Sequence, residues 1–77
     1  MFPNTSLRNV EWSINNKNRP RKFGGKVYYL LGMKEYATLH GSVFVQGEAK
    51  RIRSHGYGVR VMYNDQYGEG YIYVRRK

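Results

Sequence analysis

Two alternating runs in the last third of this chain constrain its fold more than any other feature. Gly58 to Tyr63 reads G-V-R-V-M-Y, and Gly70 to Arg75 reads G-Y-I-Y-V-R. Each has the two-residue period that sends successive side chains to opposite faces of a strand. Between them, Asn64-Asp65-Gln66-Tyr67-Gly68-Glu69 supplies turn formers where a hairpin needs them. The runs predict an antiparallel hairpin.

A two-stranded hairpin is marginal in water, so the rest of the chain must add sheet and cover. Lys26 to Gly32 (K-V-Y-Y-L-L-G) is an apolar run rich in β-formers and predicts a further strand. Met33 to Gly41 has no clear period. Ser42 to Ser54 predicts a helix, because Val45, Ala49 and Ile52 recur on one face. Ser42 suits the N-cap and Gly56 the C′ position. Gly47 and the β-formers Val43-Phe44-Val45 weaken the first half, and a start near Gln46 is the alternative.

The order strand, helix, strand, strand predicts an α+β fold. It is a small two-layer sandwich with an antiparallel three-stranded sheet (β-α-β-β) and one helix on one face. At 77 residues there is room for one domain with a modest core. Residues 26–77 are expected to form it. Residues 1–25 read as a basic N-terminal arm or loop, interrupted by Asn, Pro and Gly. Within that arm Val10, Trp12 and Ile14 alternate with Glu11 and Ser13, which predicts an extra edge strand or a segment packed through Trp12.

Charge narrows the function. Fourteen Lys and Arg against five Asp and Glu give a formal net charge of +9. Residues 1–26 hold six basic and one acidic side chain, residues 27–49 one and two, and residues 50–77 seven and two. An excess of this size attracts phosphate backbones. Twelve residues are aromatic and eight of those are Tyr, too many phenols for so small a core to satisfy.

The strand alternation turns this into a surface. Val59, Val61, Ile72 and Val74 belong on the helix side, which leaves Arg60, Met62, Tyr71, Tyr73 and Arg75 facing outward. Either Tyr28 or Tyr29 joins them. Tyrosines on a pleated surface stack on unpaired bases, and flanking Arg neutralises phosphate. Lys50, Arg51, Arg53 and His55 make a second basic patch on the helix, and Lys17, Arg19, Arg21, Lys22 and Lys26 a third. The expected nucleic-acid-binding set is therefore Arg60, Tyr71, Tyr73, Arg75, Lys50, Arg51, Arg53, Arg19, Arg21 and Lys22. The Arg/Tyr face also fits a protein hot spot, and cross-strand pairing alone accounts for such residues.

Ala49 to Val61 (A-K-R-I-R-S-H-G-Y-G-V-R-V) and Gly70 to Arg76 (G-Y-I-Y-V-R-R) resemble small archaeal and mobile-element proteins. Those carry a strand, a helix ending in an Arg-x-x-Gly-Tyr turn, and a hairpin closing on Tyr-x-Tyr/Val-Arg. The resemblance covers about half of the chain and implies a βαββ fold; it transfers no functional residue.

Nothing in the sequence groups into a catalytic or metal-binding constellation. His40, His55 and the five carboxylates lack motif spacing, so neither a cofactor nor a metal is expected. One enzyme reading stands beside this, a metal-free ribonuclease using His40 or His55 as base. The absence of Cys suits a reducing compartment such as the cytoplasm, and no apolar run suggests a membrane span or signal peptide. The expected function is a non-enzymatic nucleic-acid-binding protein, with RNA or DNA as partner. A ribosome- or ribonucleoprotein-associated structural protein and a virus- or plasmid-encoded protein-binding adaptor are the alternatives.

Overall fold

A computed structural model describes residues 7–31, 41–64 and 69–77, with backbone alone at 41–44, 64 and 69. The elements are α1 (Leu7–Asn15), β1 (Arg21–Phe23), β2 (Lys26–Leu30), α2 (Gly41–Ser54), β3 (Tyr57–Asn64) and β4 (Glu69–Arg76). The α+β class is as expected, but the described sheet has four strands and two helices accompany it. The strand order is β1-β2-β4-β3, and every neighbouring pair is antiparallel. The last strand of the chain therefore lies inside the sheet, between β2 and β3.

The hairpin β3–β4 forms over the predicted runs, each strand one residue longer at both ends, in the register Val59↔Val74 and Val61↔Ile72. Its turn, 65–68, lies outside the described residues, as do 1–6 and 32–40, His40 included. Helix α2 starts at Gly41 and buries Val45, Ala49 and Ile52 completely, as their spacing requires. Gly56 follows it with φ +92°, the left-handed C′ conformation that glycine adopts without a Cβ penalty. At Gly70 the helix sits directly on the sheet. A Cβ there would lie 2.8 Å from the Val45 side chain, so only glycine permits this approach.

The expected strand through Val10, Trp12 and Ile14 is instead the helix α1. Leu7, Val10 and Ile14 fall at helical spacing, and Val10 and Ile14 join the core while Leu7 packs against it. Trp12, expected to anchor the segment, is 56% exposed on the other side. Ser13 is buried, and its Oγ donates to the carbonyl of Asn9 at 3.0 Å. The helix stops in a Schellman arrangement: Asn18 N–H donates to Ser13 O at 3.0 Å and Lys17 N–H to Ile14 O at 3.1 Å. Lys17, with φ 50°, occupies the left-handed position that glycine usually takes.

The linker then ties itself to the sheet. Leu30 N–H donates to Asn18 O at 2.8 Å, and Asn18 Nδ2 donates back to Leu30 O at 2.7 Å. β1 follows as a short edge strand joined to β2 by Gly24-Gly25, whose φ values of 58° and 81° fit a type I′ hairpin turn. β2 is shared: residues 26–28 pair with β1, and residues 29–30 pair with β4.

Both helices cover the same face. Val10 and Ile14 from α1 and Val45, Ala49 and Ile52 from α2 meet Val59, Ile72 and Val74 in one cluster. No helix among the described residues is long and apolar enough to cross a membrane.

Candidate nucleic-acid interface

The sheet's second face is not covered by either helix. The register places Arg60, Met62, Tyr71, Tyr73 and Arg75 on it together. Pairing of Tyr29 with Val74 turns Tyr29 toward the core and settles which tyrosine of β2 faces outward: it is Tyr28. Pairing of Arg21 with Tyr28 brings the two outward residues of β1, Arg21 and Phe23, onto the same face.

Aromatic rings organise its middle. Phe23 meets Tyr28 edge-on, with centroids 5.5 Å apart, and Tyr73 at 5.3 Å. Arg75 lies 5.8 Å over the Tyr28 ring and Arg21 5.4 Å over Phe23, both within cation–π range. Arg75 also packs flat across Gly58, where a Cβ would come within 2.8 Å of its side chain. Tyr28 is in consequence buried on the outward side, a ring used for structure rather than for contact.

Two concavities flank this cluster, one at each end of the strands. The larger, about 430 Å³, is a groove lined by Arg19, Arg21, Leu30, Met62, Tyr63, Tyr71 and Tyr73. The smaller, about 250 Å³, is lined by Tyr28, Arg53, Tyr57, Gly58, Val59, Arg60 and Lys77. No described carboxylate lines either one.

The described carboxylates are engaged on the helix layer. Glu48, 4% exposed, pairs with Arg51 at 3.2 Å. Glu11 on α1 accepts from the Tyr57 hydroxyl and from Arg76, whose Nη2 also donates to Asn15 Oδ1 at 2.7 Å. These donors hold the Glu11 carboxyl below its ordinary value, Tyr57 first and Arg76 second. The same bond pushes the Tyr57 phenol up, since losing its proton would face a carboxylate.

The expected binding set thus divides. Arg60, Tyr71, Tyr73 and Arg75 share the open face, and Arg19 and Arg21 join them through β1 and its linker. Lys22 alternates to the opposite side of β1, at the register position of Val27. Lys50 is exposed on α2, in the other layer. Arg51 is bound to Glu48, and Arg53 donates from Nη2 to the Val59 carbonyl at 2.9 Å. Arg53 nonetheless reaches the smaller concavity. His55, in the turn after α2, is exposed and lines neither hollow.

Phe23, Leu30, Tyr57 and Tyr63 were not among the residues expected at the interface. The Gly24-Gly25 pair carried the signal for Phe23, because a two-residue turn there opposes Phe23 to Lys26 and Arg21 to Tyr28. Comparisons with protein-family models, with curated proteins and with solved structures return no match for this chain.

Proposed function

We propose that this chain is a non-enzymatic, cytoplasmic nucleic-acid-binding protein that takes unpaired bases of a single strand in the groove of its open sheet face. The observation that carries the reading is the groove itself. Tyr71 and Tyr73 supply π-faces, Leu30 and Met62 a floor for base edges, and Arg19 and Arg21 cations beside them, with Tyr63, whose register opposite Gly70 turns it to the helix side, at the rim. Base–aromatic stacking of this kind contributes about 1–3 kcal/mol per base and works with any base. A concave site on a sheet suits splayed, unstacked bases better than the regular surface of a duplex.

Fluorescence anisotropy with a labelled single strand, and with the duplex of the same sequence, tests this. The single strand binds more tightly, and its affinity falls steeply between about 50 and 200 mM salt as counterions are released. Absence of binding to any single strand at low salt removes the reading; tighter binding of the duplex relocates the contact to the helix layer around Lys50.

A further inference from the structure

The smaller concavity is built differently from the groove. Three basic residues line it from three separate parts of the chain: Arg53 from the last turn of α2, Arg60 from β3 and Lys77 after β4. All three are exposed, and no described acidic side chain lines the hollow with them. A hollow lined by three basic residues and by no described acidic side chain suits an anion rather than a cation. Arg53 is held in place by its bond to the Val59 carbonyl, which uses one of its five N–H donors and leaves four for a ligand. The Arg60 guanidinium reaches toward the β1–β2 turn, with Nη2 3.8 Å from where a Cβ on Gly24 would stand. Guanidinium forks of this kind match the oxygens of a phosphate.

We infer that this cavity is a phosphate subsite for the strand whose bases occupy the groove. The inference rests on the proposed function. Arg60 and Met62 are successive outward residues of β3, so the cavity and the groove begin about 7 Å apart along that strand, at roughly 3.3 Å per residue. One strand running parallel to β3 crosses both.

Two measurements test the subsite separately from the groove. First, inorganic phosphate is titrated into the free protein and followed by backbone amide NMR. Shifts concentrated at Tyr57 to Arg60 and Lys77, and lost in the Arg60→Gln/Lys77→Gln double variant, are expected. Shifts spread evenly over all basic segments, or none, overturn the subsite. Both replaced side chains are exposed, so the variant keeps its fold.

Second, the salt dependence of single-strand binding is compared for the same pair of proteins. Losing the one phosphate contact of the subsite lowers the slope of log affinity against log salt by about 0.7. An unchanged slope with binding intact overturns the subsite and leaves the groove reading standing. A localised phosphate response without any strand binding does the reverse: it upholds the phosphate site and removes the groove. Oligonucleotides with and without a 5′-phosphate identify the source. Several-fold tighter binding of the phosphorylated form, abolished by the double variant, assigns a terminal monoester, and equal affinities assign a backbone phosphodiester. Binding of a phosphoserine peptide in place of the strand overturns the inference in favour of a phosphoprotein partner.

Discussion

The two faces of the sheet come from the same strands and have opposite chemistry. On one, Val59, Ile72 and Val74 are sealed beneath two helices, and the nearby carboxylates Glu48 and Glu11 are matched to Arg51 and Arg76. On the other, Arg60, Arg75 and Arg21 stand among rings with no described acidic partner. Alternation by single residues along β3 and β4 is enough to produce both. Among the described residues, the difference lies in which basic side chains meet a carboxylate and which meet a ring. On the helix layer acids balance part of the charge, and on the open face it is left facing aromatic surface.

The contrast predicts that stability and binding separate by face. The largest effect belongs to the covered side. Ile52→Ala removes a fully buried side chain from the centre of the cluster and costs about 2–5 kcal/mol in chemical denaturation. Gly70→Ala drives a methyl into the fully buried Val45 and costs about 1–3 kcal/mol in the same measurement. If the open face does the binding, Tyr71→Ala weakens single-strand affinity by about 1–3 kcal/mol, a factor of five or more, with a smaller loss of stability. An equal loss on both counts would erase the distinction between the faces. Lys17→Gly relieves a left-handed lysine at the end of α1 and raises stability by about 0.5–1 kcal/mol, leaving the groove untouched.

The smallest effect concerns pH. Glu11 titrates lower in the folded protein than in the unfolded chain, so its contribution is present above the ordinary carboxylate value and is lost as pH falls through the depressed one. Tyr57 titrates higher when folded, so its contribution is present below the ordinary phenol value and is lost as pH rises through the raised one. Thermal melting across pH should show a plateau between these limits, and Glu11→Gln should flatten both shoulders of it.

The sequence made some of this legible and hid the rest for physical reasons. The hairpin β3–β4 was readable because a two-residue period is a local property and six residues suffice to see it. Helix α2 was readable from Val45, Ala49 and Ile52, although Gly47 lies exposed within it. Helix α1 was not, because Val10, Trp12 and Ile14 satisfy the strand period while Leu7, Val10 and Ile14 satisfy the helical one. Burial decides between them, and burial depends on partners elsewhere in the chain. The open face was readable in its β3 and β4 part. That Arg19 and Arg21 stand beside Tyr71 and Tyr73 was not, since it follows from a three-residue strand and from β4 inserting next to β2. Tyr28 and Tyr29 were indistinguishable for the same reason.

The bond between Glu11 and Arg76 spans 65 positions of the chain. With the Tyr57 hydroxyl it fastens α1 to the start of β3 and the finish of β4 in one knot. This contact predicts that amide exchange slows together in α1 and in the final residues of β4, and that Glu11→Gln separates the two.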